Sequence, residues 1–361
     1  MHHRDRVLVS LSHEAPDRCP FQASFAPEFA DRLRRDLALR GRGADHNPHG
    51  GGNSYELERA LDQDMLLTSV GWANSYYREA GDYTDEWGVG WKSIEYSTRF
   101  GTGRYTEIAG HPLAGDDAIA SYRPPDPERP ELYTEAARTI AEFGGEYWIV
   151  GVAVTTVFEC AWALRGLPAL LMDMAAEPDR AEAVLRIPFR YHLAVARRLA
   201  ALGADMIWLG DDVGMQTGML IAPETWRRFL KPKLAAIVAE VKRVNPRAYV
   251  AYHSDGDVRP IIGELIEIGI DVLNPVQPGC MDPAEIKRTY GRAASFWGTI
   301  DEQRTLPFGT PAEVAAEVVE RVRTAGAGGG LIIGPTHNVQ LDTPLENFRS
   351  MIEAIRTTPC R

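Results

Sequence analysis

What the chain lacks narrows its function first. Only four cysteines occur in 361 residues, at positions 19, 160, 280 and 360, and no Cys-x-x-Cys pair is among them. That excludes a disulfide-framed secreted scaffold and a four-cysteine zinc module, and it predicts reduced thiols in a cytoplasmic protein. No block of Lys and Arg appears, and the formal net charge is −11. Nucleic acid and anionic membrane surfaces are therefore not expected partners. No apolar run reaches the length of a membrane span, and the opening MHHRDRVLVSLSHEAPDR has none long enough for a signal peptide. The remainder is ordinary for a globular chain, with 45% hydrophobic and 25% charged residues.

Eight short apolar runs have strand length: 19–24, 64–70, 147–154, 205–210, 248–252, 271–276, 294–298 and 330–334. The last five are joined by segments with apolar residues at helical spacing, at 224–244, 259–269, 282–291 and 310–326. The stretches MDP and GTP read as helix starts, and glycines follow several helix ends. Strand and helix alternating at this pitch predict a parallel α/β sheet, and eight units predict a closed (β/α)8 TIM barrel. An open doubly wound sheet is the alternative, because periodicity cannot count closure. The aromatic, alternating segment 83–108 predicts an antiparallel hairpin or meander inserted between the second and third strands. The polar, glycine-rich stretch 40–54 reads as a mobile loop over the mouth. With no linker and no internal repeat, residues 1–361 are expected to form one domain.

In such a barrel the reactive groups sit at the C-terminal ends of the strands. Asp211, Asp212 and Gln216 follow the fourth apolar run, and His253, Asp255 and Asp257 the fifth. Asn274 and Gln277 belong to the sixth, Asp301 and Gln303 to the seventh, and Thr336, His337, Asn338 and Gln340 to the eighth. A lone post-strand aspartate caps the next helix as often as it does chemistry, and Asp257 reads as such a cap. Loop composition does not favour histidine, yet two of nine histidines occupy equivalent exits. His-x-Asp on a strand exit puts both side chains on one face. A third ligand from the last strand would complete a two-histidine, one-carboxylate set for zinc or iron. Asn274, Gln277 and Gln216 are neutral groups for substrate, and Asp211 or Asp212 would orient it or accept a proton. Tryptophans usually build barrel wall; Trp87 is kept as a substrate contact. The glycines of AGAGGG precede a strand, so they stop a helix and cradle no phosphate.

At these residues the chain resembles the uroporphyrinogen decarboxylase superfamily. The likeness runs from HEAPDRCPF (13–21) through DEWGVGW (85–91). It is densest in GDDVGMQTGMLIAPETWRRFLKP (210–232), YHSDGDVRPIIGELIEIGIDVLNPVQPGCMD (252–282), FWGTIDEQRTLPFGTP (296–311) and GGGLIIGPTHNVQLDTPLENF (328–348). The resemblance implies a (β/α)8 barrel enzyme. One branch, the heme-pathway decarboxylase, grips tetrapyrrole propionates with an arginine-rich N-terminal loop, and the corresponding APEFADRLRRDL (26–37) lacks that motif. The other branch contains zinc-dependent methyltransferases that exchange methyl groups with a corrinoid. Their metal is held by His-x-Cys after strand five and a late ligand near TPxEN. Here His253 and His337 match the two outer positions, and Asp255 stands in place of the cysteine. The resemblance thus implies a zinc-like ion at His253, Asp255 and His337, a small-molecule substrate, and a corrinoid brought by a partner protein, since no Asp-x-His-x-x-Gly carrier pattern occurs. A homodimer is compatible with this reading. A cofactor-free carboxy-lyase using Asp85 or Asp211, and a non-catalytic tetrapyrrole or corrinoid binder, are the alternatives.

Overall fold

The computed structural model describes residues 1–39, 54–76 and 81–360. Its main sheet contains β1 Met65–Ser69, β2 Trp148–Val154, β3 Met206–Gly210, β4 Tyr249–His253, β5 Val272–Asn274, β6 Ser295–Trp297 and β7 Leu331–Ile332. These pair in chain order, all parallel. The first apolar run supplies the remaining stave. Gln22 N–H donates to the Ile333 carbonyl, Ile333 N–H to the Pro20 carbonyl, and Asp64 N–H to the Phe21 carbonyl. This stave is an isolated bridge rather than a full strand, because Pro20 has no N–H to offer the ladder. The arrangement is that of a (β/α)8 barrel, as expected, and not an open doubly wound sheet.

Strand alternation sorts the core into two layers. Met65, Leu67, Val150, Val152, Met206, Trp208, Ala251, Val272, Trp297 and Ile332 turn inward into one buried cluster. Val7 and Leu11 of the helix His3–Leu11 join it, and Arg4 ties that helix to Asp205 and Glu146, just ahead of β3 and β2. The barrel is therefore plugged at the N-terminal ends of its strands and open at the other. Intervening residues such as Ile207, Leu209, Val250, Leu273 and Phe296 face outward against the helices.

The helices follow their start signals. Asp282 accepts the N–H of Ala284 at the head of Pro283–Tyr290, and Thr310 with Glu313 forms a capping box at the head of Pro311–Thr324. The amphipathic run 224–244 divides into Pro223–Phe229 and Lys231–Val244. Pro232 lacks the N–H that a continuous helix needs, so it is placed in a first turn instead. The insertion is a three-stranded antiparallel sheet of Tyr83–Thr84, Gly90–Thr98 and Gly101–Gly110. Of the stretch read as a mouth loop, residues 40–53 lie outside those described.

One buried group makes this packing acid-sensitive. His192, on the helix Pro178–Leu202, has no exposed surface and lies parallel to Trp87 at 6.3 Å. Burial lowers its imidazole from 6.5 to about 4. The unfolded chain takes up this proton near 6.5 and the folded chain only near 4, so the contribution is intact above 6.5 and is lost as the pH falls to 4. The shift corresponds to at most about 3 kcal/mol. Urea midpoints are expected to drop across that window and to drop less in His192→Gln; equal slopes in the two proteins would contradict this assignment.

Candidate metal and substrate site

The open end of the barrel holds a cavity of about 310 Å³. Its floor is the top of the barrel core: Val154, Trp208 and Trp297, the last two with ring centroids 4.5 Å apart. Tyr105 and Thr106 of the inserted sheet, Gln22 and Ser24 of the closing stave, and Pro335–Asn338 beyond β7 complete its walls. Among the described residues that line it, none is lysine or arginine, whereas Glu159 and Asp212 both do.

Strand register brings the reactive groups together. His253 ends β4 and pairs with Gly210 on one side and Asn274 on the other. Position 210 has to be glycine, because a Cβ there would lie 2.4 Å from that of His253. Tyr249 and Ala251 pack with the inner cluster, so His253, two residues on, points into the cavity. Its Nδ1 lies 2.8 Å from Asn274 Oδ1, and the Asn274 amide donates to the Trp297 carbonyl at 3.0 Å. That second bond leaves the Asn274 oxygen as acceptor, which puts the imidazole proton on Nδ1 and the free lone pair on Nε2. Nε2 faces Asp212 Oδ1 at 3.5 Å. Asp255 joins them, its own N–H donating to Asp212 Oδ1 at 2.8 Å. Gly256 permits the turn: its φ is +81°, and a Cβ would lie 2.6 Å from the Gly214 carbonyl carbon.

Asp212, His253 and Asp255 each offer a ligand atom within 4.8 Å of the others. His337, predicted as the third ligand, lines the same cavity but stands outside this 4.8 Å cluster, which contains Asp212 instead. Charge in the site is unbalanced. Burial, then Asp212 and Asp211, push the Glu159 carboxyl well above its ordinary range. Burial raises Asp255 against the pull of His253 and His337. Burial alone would lower His253, but Asp212 and Asp255 outweigh it and hold the imidazole above 6.5. The donor set fits a divalent cation: an imidazole whose far nitrogen is held by an amide oxygen, two carboxylates, and surplus negative charge.

The other predicted residues lie elsewhere. Asp211 does not line the cavity; its carboxylate accepts the N–H groups of Val157 and Glu159 at the head of the helix Phe158–Arg165. Burial nevertheless pushes it up to about 7, against those N–H groups. Asp85 accepts from the N–H groups of Trp87 and Val89 and the Trp91 indole, which knits the inserted turn. Trp87 is buried against Tyr191 and His192. Gln277 accepts the Gly256 N–H and so holds the Asp255 turn from below, and Gln216 is exposed beside Cys280. Asp257, expected as a helix cap, is not one: the residue ahead of the short helix Arg259–Ile261 is Val258, and the Asp257 carboxylate instead accepts the Arg259 N–H and pairs with its guanidinium. Glu159 escaped the sequence reading. Its signal was available, since TTVFE follows the third apolar run and so exits a strand like the others.

Residues 93–358, well over half of the chain, match the family model for uroporphyrinogen decarboxylase (URO-D). The methylated-thiol–coenzyme M methyltransferase of Methanosarcina mazei is 25% identical over 57% of this chain. The methylcobamide:CoM methyltransferase of Methanosarcina barkeri is 30% identical over 49% of it. The matched stretch spans about half of each of those relatives, 52% and 48%. A uroporphyrinogen decarboxylase of Crocosphaera subtropica is 24% identical over 68% of each chain. Among solved structures, a methyltransferase from Methanosarcina mazei shares the fold with a TM-score of 0.66 at 18% identity, covering 99% of this chain and 98% of its own. Relatives of both kinds are enzymes. A barrel of this order, its ionisable groups gathered at the strand exits, thus carries the matching sequence, and the chain belongs to the uroporphyrinogen decarboxylase family.

Proposed function

We propose that this protein is a methyltransferase that moves a methyl group between a small substrate and a corrinoid protein, with a zinc-like ion held by Asp212, His253 and Asp255. The observation that carries the reading is the charge of the cavity: two carboxylates line it, a third lies beside them, and no described lysine or arginine faces it. A carboxy-lyase for a polyanionic tetrapyrrole needs the reverse, cationic groups to hold carboxylates, and more room than about 310 Å³. Sequence similarity to two methyltransferases supports the same choice.

The ion would act as a Lewis acid on the substrate atom it contacts. Around it, Asn274 fixes the histidine tautomer, and the Asp212 carboxylate accepts the Asp255 N–H and so sets the spacing of the two acids. Trp208 and Trp297 give the substrate an apolar floor and exclude water, and His337 reaches the cavity from β7's far end as a polar contact or further ligand. With carboxylate where the methyltransferase branch has thiolate, the donor set is hard and favours oxygen over sulfur in the substrate.

Elemental analysis of protein purified without an affinity-tag metal should find about one divalent ion per chain, and Asp255→Cys should keep that ion. The same preparation should transfer methyl from methylcobalamin to a small acceptor, and lose the activity on chelation. Full turnover by metal-free protein would refute the proposal, and so would release of carbon dioxide from a tetrapyrrole carboxylate.

A further inference from the structure

Far from the mouth lie two thiols that the proposed chemistry does not use. Cys19, just ahead of the closing stave, and Cys360, beyond the helix Leu345–Thr357, bring their Sγ atoms to 3.0 Å across 341 positions of sequence. That is about 1 Å more than a disulfide bond. Their exposures are 0% and 4%. The surroundings are asymmetric. Lys287, anchored on the Gly329 carbonyl at 2.6 Å, lies beside the pair. A Cβ on Gly326 would come to 3.0 Å from Cys19 Sγ, so this glycine leaves the space the sulfur fills. Cys360 Sγ also approaches the Gly326 carbonyl at 3.3 Å.

We propose that Cys19 and Cys360 form an intramolecular disulfide by exchange with a small-molecule disulfide, a modification that staples the closing stave of the barrel to the helix Leu345–Thr357. Cys360 is the attacking sulfur. Its bond with Cys19, and then the Lys287 ammonium, hold the Cys360 thiol below its ordinary range, while the same bond and burial hold that of Cys19 above. Its thiolate displaces one thiolate from the small disulfide and leaves a mixed disulfide. Cys19 gives up its proton and attacks Cys360 Sγ, which expels the second thiolate. Two protein thiols are oxidised, one small disulfide is reduced to two thiols, and the two protein protons end on those products.

The bond would restrain a seam of the sheet that is made of isolated bridges rather than a continuous ladder. The closing stave is held by two isolated bridges, at Phe21 and Phe25, and by backbone bonds at Pro20, Phe21, Gln22, Ser24 and Ala26. A crosslink spanning most of the chain restricts the unfolded state as few others can.

The test uses the full chain, first reduced, then equilibrated with excess oxidised glutathione. Accessible plus buried thiols, titrated in denaturant, should fall from four to two. The intact mass should drop by two hydrogens with no glutathione retained, and peptide mapping should join the segments containing positions 19 and 360. The oxidised chain should melt at a higher temperature than the reduced one, and dithiothreitol should abolish the difference. Cys19→Ser and Cys360→Ala should each keep their remaining partner thiol and show no oxidant-dependent rise. Four thiols after equilibration, glutathione retained on Cys280 alone, or a rise that persists in both variants would overturn the proposal. None of these outcomes bears on methyl transfer, so the two readings fail separately.

Discussion

His253→Ala is expected to lower zinc affinity by more than about 100-fold while leaving the barrel folded. Removing an outer-shell partner of a metal ligand already costs 10- to 100-fold, and this change removes the sole imidazole of the Asp212, His253 and Asp255 cluster. What remains is two carboxylates whose Coulomb repulsion is opposed only by His337, which stands outside the cluster. The fold should survive, because the side chain points into the cavity, where its ring packs T-shaped with Trp208 at 5.7 Å and otherwise meets the polar groups of Asn274 and Asp212, while the buried core of β4 is Val250, Ala251 and Tyr252. Titration of zinc against a competing chelator reads the affinity, and circular dichroism at the same protein concentration reads the fold. Asn274→Ala is the companion variant. It keeps the ligand and removes its orientation, so its loss should fall within the 10- to 100-fold range. Unchanged zinc binding in His253→Ala would place the ion elsewhere and dissolve the proposed site.

Much of the fold was legible because it depends on signals short in sequence. Apolar runs of strand length and helix starts such as Asp282 and Thr310 are local, and each appears in the structure near its expected place. Sequence periodicity could not decide closure, which rests on backbone hydrogen bonds between segments remote in the chain. The split of 224–244 was readable from Pro232 but was overridden by the strong apolar period on both sides.

The site was legible at the level of strand exits and less so in its membership. His253 and Asp255 are two residues apart on one exit, so their meeting followed from strand geometry. Which third group joins them depends on adjacent-strand register. β3 and β4 are neighbours in the sheet, whereas β7 lies three places from β4, which agrees with Asp212 and not His337 falling in the cluster with His253 and Asp255. The adjacent Asp211 and Asp212 illustrate the limit. Identical side chains one position apart face opposite ways, one into the cavity and one into the helix behind it. Composition cannot separate them; the alternation of the strand can.

Asp211→Ala should be the most destabilising single change at the mouth. The carboxylate is buried and takes the N–H of Val157 at 2.9 Å and the N–H of Glu159 at 3.0 Å. These belong to the first turn of Phe158–Arg165, a helix whose preceding residue makes no side-chain cap of its own. Alanine leaves buried donors with no acceptor, each costing about 1–3 kcal/mol, on top of the lost cap. One effect opposes this: burial pushes the carboxyl up to about 7, and its removal relieves repulsion on Glu159 and Asp212. The repulsion is shared among groups that can protonate, whereas the orphaned N–H groups have no alternative partner. The net loss is therefore expected to be about 3 kcal/mol, a large part of a typical domain's stability. Asp211→Asn should lose less, since its carbonyl oxygen still accepts one N–H while its amide nitrogen accepts none. The order wild type, Asn, Ala in urea midpoint, read at constant slope, is the expected result. Were Asp211→Ala as stable as the wild type yet inactive, Asp211 would belong with the substrate-handling groups after all and not with the frame that holds Glu159 and Asp212 in place.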